Sequence, residues 1–540
     1  MTCNIATVIG FPAMTTQTMM DTPLTLDWIA DRAERWMGTG EVVSRLPDRS
    51  LSTTTYAGVI RNARKLARAL VGAGIERGDR VATLMWNHAE HLEAYFGIPL
   101  AGACVHTLNL RLHPDEIAYI ANDAKDRFLI VDDVLVPLYE KVVAAGAKFE
   151  RVFVVRGGSY ETFRDAAPEV ALPALAESDA LGVCYTSGTT GRPKGVVYSH
   201  RSTILHTLVA TLPDSLGICR ADVLMPVVPM FHVNAWGLPY IAAMCGAKLV
   251  FPGPYLDPPS LLELMANQHV TIAAGVPTIW IGIRDVLEAN PGKYSLEPNV
   301  RMVVGGSAAP EQLIRDFDRL GLSICHAWGM TETSPIGTVS RVSPELARAD
   351  KDAQYRARAR QGRPVPLVDL RVRNEAGDVP NDDKTSGEVL IRGPWIAASY
   401  AGGHTPERWT ADGYFRTGDV ARIDQHGYIQ LTDRIADLIK SGGEWIASQE
   451  LENALMGHPA VREAAVIGVA HPKWGERPLA AVVLRENATA TADELRAYLA
   501  PKFAKFWLPD AFVFVDAIPR TSAGKFKKTE LREQFRDHAW

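Results

Sequence analysis

The hydrophobic positions of this chain run in two rhythms. Tyr56, Val59, Ala63, Leu66 and Leu70 recur at intervals of three and four, which predicts an amphipathic helix stopping near Gly72-Ala73-Gly74. The run 80–85 follows as a short strand, 88–100 as a helix, and 127–132 and 151–155 as further strands. A second series of short apolar strands falls at 223–228, 247–251, 271–275 and 300–304. Strands alternating with helices imply parallel βαβ units with right-handed crossovers, so two α/β halves are predicted. Beyond about Leu367 the pattern changes. Segments 370–373, 387–392 and 428–431 are spaced by Gly- and Asp-rich turns, which predicts a small β-barrel or distorted sheet. A compact tail then alternates helix and strand at 450–456, 461–469, 479–484, 491–499 and 511–515, as a separate small α+β domain would.

Composition narrows the class. With 540 residues the chain is too long for one ordinary core, and 47% hydrophobic with 22% charged residues is ordinary for a globular enzyme. A net charge of −5 gives no electrostatic reason to expect nucleic acid or an anionic membrane. The six cysteines (Cys3, Cys104, Cys184, Cys219, Cys245, Cys325) form no C-x-x-C pair, so neither a zinc site nor a disulfide framework is indicated. Reduced thiols fit a cytoplasmic location. No apolar run reaches spanning length, which leaves peripheral membrane contact at most. The first residues lack the basic region of a secretory signal, and Met14, Met19 and Met20 are alternative starts.

One stretch concentrates the chemistry. After the apolar run 180–184 comes Tyr-Thr-Ser-Gly-Thr-Thr-Gly-Arg-Pro-Lys-Gly-Val-Val-Tyr-Ser-His, Tyr185 to His200. The glycines at 188 and 191 allow positive φ and expose backbone N–H groups. Those N–H groups, the hydroxyls of Thr186, Ser187, Thr189 and Thr190, and the point charge of Lys194 make an anion site suited to a polyphosphate. It is not the Walker loop, because Pro193 stands where that pattern requires its second glycine. A plain Gly/Thr surface turn is the bland alternative.

Four further motifs follow in order. Residues 303–310 end an apolar strand in Gly305-Gly306, where a flat ligand can approach the backbone. In 324–334, Trp328 offers a face to an adenine ring. There Glu332 offers a carboxylate that, with the Thr186 hydroxyl and phosphate oxygens, suits Mg²⁺. Residues 414–419 end in Asp419, followed by Asp433-Arg434, and 518–528 carry Lys525 ahead of Lys527 and Lys528, which read as solvated cations. Taken singly, these read as turns, caps or a basic loop.

Together, in this order and spacing, they resemble the adenylate-forming superfamily of acyl-CoA synthetases, firefly luciferases and peptide-synthetase adenylation domains, over residues 25 to 535. The resemblance implies an α/β fold: a large N-terminal domain of two α/β subdomains plus a β-barrel, capped by a small mobile α+β C-terminal domain. It divides the chain into an arm at 1–24, an adenylation domain at 25–433, a hinge at 434–437 and a cap at 438–540. It implies ATP, Mg²⁺ and CoA. Carboxylate and MgATP give an acyl-adenylate and pyrophosphate, then a thiol takes the acyl group while the cap rotates.

Roles carry over position by position. Lys525 stabilises charge as the carboxylate attacks the α-phosphate, Thr186 and Glu332 hold the metal, and Asp419 accepts the ribose hydroxyls. Arg434 reaches the ribose or phosphate side. Gly306, Ser307, Ala308, His326, Ala327, Trp328, Gly329 and Thr331 join the loop residues Ser187, Gly188, Thr189, Thr190 and Lys194 around the nucleotide, with Lys440 and Trp445 near it at the domain interface. The segment 229–239 predicts a helix opening with His232 and Trp236 on one face. In fatty acyl-CoA synthetases it lines the acyl tunnel, Trp236 as gate and His232 beside the carboxylate, so Val233, Gly305, Met330 and Pro335 are expected to line the acid site. The hinge departs from the family, which has Lys or Asp where this chain has Ala436. The chain leaves no room for a carrier-protein domain, so CoA is the implied thiol. The string is close to that of bacterial medium- and long-chain enzymes, some of them homodimers joined through the N-terminal segment. A ligase for a short or sulfur-containing acid such as 3-methylthiopropionate, a luciferase-like oxygenase and a non-catalytic nucleotide-binding relative are the alternatives.

Overall fold

The computed structural model describes residues 19–186, 192–442, 444–520 and 525–540. The two predicted α/β halves are two sheets. A six-stranded sheet takes in Arg80–Leu84, Cys104–Thr107, Asp126–Asp132, Arg151–Val155 and Ala180–Tyr185, all parallel to their neighbours, and is closed by antiparallel Gly195–Ser199. A nine-stranded sheet has a parallel middle that includes Lys248–Phe251, Ile272–Gly275, Arg301–Val304 and Ser323–Gly329. Its parallel strands are buried along nearly their whole length, as a sheet covered on both faces requires.

The helix Tyr56–Gly72 shows how pattern becomes packing. Thr55 caps it by accepting from the Gly58 N–H, and Gly74 at φ +86° follows its end. Its buried face carries Tyr56, Val59, Ile60, Ala63, Leu66 and Leu70 into the largest apolar cluster. Each large side chain so buried contributes about 1.5–3 kcal/mol.

The segment predicted as a small barrel or distorted sheet is a five-stranded antiparallel sheet that includes Asp369–Asn374, Gly387–Arg392, Phe415–Ile423 and Ile429–Arg434. The tail has its own core around the hairpin Val461–His471 and Gly475–Leu484, with the helices Ser448–Met456, Ala492–Leu499 and Lys528–Gln534. Ion pairs Arg422–Glu450 at 3.3 Å and Arg485–Asp285 at 3.8 Å tie this tail to the larger body. The candidate site draws on strands as well as loops: Trp328 lies in Ser323–Gly329, Glu332 in the turn after it, and Asp419 and Arg434 face each other on antiparallel strands of the five-stranded sheet.

Candidate active site

A cavity of about 570 Å³ opens where the nine-stranded sheet, the five-stranded sheet and the tail meet. A smaller one of about 140 Å³ adjoins it, and Trp328, Gly306 and Lys525 border both. Thr186, Lys194, Thr331 and Glu332 line the larger space, as do all the expected acid-site residues: His232, Val233, Trp236, Gly305, Met330 and Pro335. Ser307, Ala308, His326, Ala327, Gly329, Asp419 and Arg434 line the smaller. Ser187, Gly188, Thr189 and Thr190 lie outside the described residues.

The acidic end is built from three sheets. Glu332 is 5% exposed, and its Oε1 accepts from the Tyr400 hydroxyl at 2.5 Å. The Tyr400 ring in turn lies 5.3 Å from Lys194 Nζ, which donates to Thr405 Oγ1 at 3.3 Å. Thr186 is held by a pair of bonds with Lys194, its N–H to the Lys194 carbonyl at 3.0 Å and its Oγ1 accepting from the Lys194 N–H at 3.2 Å. Among the described residues no three His, Cys, Asp or Glu side chains gather to hold a metal. Glu332 and the Thr186 hydroxyl therefore fit a hard cation that takes its remaining ligands from phosphate and water, as Mg²⁺ does.

Trp328 is set differently from an open stacking platform. It is 8% exposed, its indole N–H donates to Asp419 Oδ2 at 2.9 Å, and its ring lies against Gly337. It orients the carboxylate expected to meet the ribose while presenting its remaining surface to both cavities. Arg434, the cross-strand partner of Asp419, sits 3.4 Å from Asp419 Oδ1 through its Nε. His326 donates through Nδ1 to the Ala359 carbonyl at 3.1 Å, and burial lowers its pKa to about 4, so it is neutral near pH 7.

Lys525 comes from the tail and enters this space. A methyl group built on Gly306 would lie 3.7 Å from its Cε. Burial, then the Arg434 guanidinium, pushes its pKa down to about 8, against the pull of Asp419 and Glu332. His232 is also kept neutral, at about 4, by burial and by the charges of Lys525 and Arg111.

Three expectations are corrected. The helix predicted to open at His232 is a left-handed turn: Val233, Asn234, Ala235 and Trp236 all have positive φ, between 44° and 59°, before Gly237 at 74°. A left-handed residue costs roughly 1–2 kcal/mol, so the surroundings must hold this turn. They do so through Asn234, whose Oδ1 accepts from Cys184 Sγ at 3.2 Å and from the Tyr95 hydroxyl at 3.4 Å. The turn presses Trp236 onto Gly305, where an added Cβ would stand 3.0 Å from the indole. Lys528, read as solvated, is buried and paired with Glu452 at 2.7 Å.

Lys440 and Trp445 are not brought to the site. They face each other on the hairpin Ile439–Ser441 and Glu444–Ile446, Lys440 Nζ 5.4 Å from the indole, with Trp445 53% exposed and neither lining either of these two cavities. The tail presents its Lys525 edge to the site and turns this hairpin outward. Sequence reasoning missed Tyr400, which stands in no motif and is marked only by the Gly402-Gly403 turn after it.

Residues 29–401 match the AMP-binding enzyme family, and residues 450–525 match the AMP-binding enzyme C-terminal domain. A long-chain-fatty-acid–CoA ligase of Thermus thermophilus is 50% identical over 530 residues, covering 96% of this chain and 97% of that protein. A 3-methylmercaptopropionyl-CoA ligase of Ruegeria pomeroyi is 43% identical over 534 residues, covering 96% and 98%. Among solved structures, the anthranilate CoA ligase AuaEII in complex with anthranoyl-AMP superposes with a TM-score of 0.84 at 25% identity, covering 95% of this chain and 98% of that one. ATP-bound MatB from Rhodopseudomonas palustris gives 0.81 at 26%, covering 96% and 99%. The chain belongs to the AMP-binding enzyme family. It is an adenylate-forming enzyme with the large N-terminal and smaller C-terminal domains of that superfamily.

Proposed function

We propose that the acid taken by this AMP-forming acyl-CoA ligase is a medium- or long-chain fatty acid. The enzyme joins a small carboxylate to CoA at the expense of ATP, with Mg²⁺. The observation that carries the reading of the acid is one cavity with two characters. Val233, Trp236, Pro335 and Ile336 wall it with apolar surface, and Glu332, Lys194 and Lys525 stand where it turns polar. That arrangement suits an aliphatic tail ending in a carboxylate beside a triphosphate. The long-chain ligase of Thermus thermophilus and a medium-chain-fatty-acid–CoA ligase of Ectopseudomonas oleovorans support it, the latter 41% identical. The 3-methylmercaptopropionyl-CoA ligases keep the short sulfur-containing acid as the second reading.

The residues then take these roles. Lys525 neutralises charge that grows on the α-phosphate as the carboxylate attacks. His232, neutral and adjacent, hydrogen-bonds the acid without competing charge. Asp419 receives the ribose hydroxyls, oriented by Trp328. Glu332 and Thr186, with phosphate oxygens, would hold Mg²⁺, which would supply Lewis-acid neutralisation of the triphosphate. Pyrophosphate leaves, and the CoA thiol displaces AMP from the acyl carbon.

We take 25–433 as the adenylation domain, 434–437 as the hinge and 438–540 as the cap; of the arm at 1–24, proposed as a contact between two copies, residues 1–18 lie outside the described residues. The exposed Trp28 and Trp36, on and just after the first helix, support an interface there. No helix among the described residues is long and apolar enough to cross a membrane. The five described cysteines are free thiols, in keeping with the cytoplasmic location we propose.

The test is pyrophosphate release over straight-chain acids from propionate to stearate, with 3-methylthiopropionate and benzoate included, each with and without CoA. Release that peaks between octanoate and palmitate and rises with CoA supports the proposal. A peak at 3-methylthiopropionate or propionate replaces the fatty acid with the second reading.

A further inference from the structure

Three residues beyond Lys525, Lys528 borders both cavities and makes a contact to which no role has been given above. Lys528 Nζ lies 2.7 Å from Glu452 Oε1 and donates to Ser448 Oγ at 2.6 Å. The same hydroxyl donates to Asp433 Oδ2 at 2.6 Å, and the Ser448 N–H donates to that oxygen at 2.5 Å. All four side chains are buried: Lys528 is 10% exposed, Glu452 7%, and Asp433 and Ser448 less. Burial alone would lower the Lys528 pKa, but the carboxylates of Glu452, Asp433 and Asp437 outweigh it, and the ammonium is held charged.

The members of this network come from two bodies. Ser448 and Glu452 lie on the tail helix Ser448–Met456, and Lys528 opens the tail helix Lys528–Gln534. Asp433 belongs to the strand Ile429–Arg434 of the five-stranded sheet, and its Oδ1 accepts from the N–H of the next residue, Arg434. That strand pairs Arg434 with Asp419. A second tie, Arg532 to Asp437 at 2.6 Å, joins the same terminal helix to the connecting segment.

We propose that Lys528 is a positioning residue for Lys525: through Glu452 and the Ser448–Asp433 relay it fixes the segment carrying Lys525 against the strand that holds Arg434 and, through it, Asp419. A buried charge pair of this kind is costly to break, because one partner is left facing a low-dielectric interior. It also has one well-defined geometry, which a loop bearing a catalytic cation requires. This inference rests on the reading of Lys525 as the residue that acts in adenylate formation. A residue that works only through Lys525 affects that half-reaction alone.

The experiment measures the half-reactions separately in the full-length enzyme. Acid-dependent ATP–pyrophosphate exchange reports the first, and CoA capture of a synthetic acyl-adenylate reports the second. Lys528→Met is expected to lower exchange by roughly ten- to a hundredfold, the scale of a catalytic group displaced by about an ångström. Capture by CoA stays at the wild-type rate, and Lys528→Arg restores most of the exchange. Ser448→Ala removes only the bridging hydroxyl and is expected to act in the same direction to a smaller extent, which keeps the test open if Lys528→Met does not fold. Equal losses in both half-reactions would show a merely structural role and overturn the proposal, as would unchanged exchange in Ser448→Ala. Wild-type exchange is measured alongside: its absence would strike the ligase reading itself, whereas its presence with unaltered variants would strike only the role of Lys528.

Discussion

Lys525 carries two properties that a surface lysine lacks: it sits beside Gly306 at the meeting of both cavities, and its pKa is pushed down to about 8. The sign of the consequence is fixed by which form works. The ammonium is present below about pH 8 and is lost as pH rises through that value, so kcat/KM for adenylate formation should fall about tenfold per unit above it. A flat profile from pH 8 to pH 10 would contradict the assignment. Lys525→Ala should cut exchange by orders of magnitude and leave capture of preformed adenylate intact. At the apolar end, Trp236→Ala removes the indole that lies against Gly305. Acid preference should then move toward longer chains, by modest factors, because a methylene in an apolar pocket is worth only about 1–3 kcal/mol. An unaltered acid profile would return Trp236 to the core.

Among the elements, the left-handed turn at Val233–Trp236 is the strained one, and Gly237 is its exit. A Cβ at Gly237 would meet the buried His206 ring at 2.9 Å, at a φ of 74°. Gly237→Ala is therefore expected to destabilise by about 1–3 kcal/mol, read as a lower thermal midpoint. It should also raise KM for the acid more than for ATP. A wild-type midpoint would mean that the turn carries no strain. This turn also marks where the sequence ceased to be legible. The helices and strands of both halves were readable because burial on one face leaves a period in the chain. The phosphate loop and the Glu332, Asp419 and Lys525 motifs were readable because their chemistry is local. Four non-glycine residues at positive φ leave no such trace, since the strain is held by Tyr95 and Cys184 from elsewhere in the fold. Lys528 was misread for a related reason. In a Lys525-Phe-Lys-Lys run it looks solvated, and only Glu452 and Ser448, brought over by the tail helix, show otherwise.

At the scale of the whole molecule, the tail is placed for one task. It delivers Lys525 to the cavity and leaves Lys440 and Trp445 outside it. Of its ties to the larger body, Arg422–Glu450 is a partly buried ion pair with side chains 26% and 17% exposed. The Ser448–Asp433 contact is more fully buried and has two hydrogen bonds to one carboxylate oxygen. Such an arrangement serves attack of a carboxylate on the α-phosphate, and that attack leaves an atomic record. The most direct measurement uses palmitate carrying oxygen-18 in its carboxyl group, turned over with ATP, Mg²⁺ and CoA. One labelled oxygen should appear in each AMP formed, with pyrophosphate and palmitoyl-CoA as the other products. Unlabelled AMP, or ADP and orthophosphate in its place, would contradict the acyl-adenylate and the account built on it.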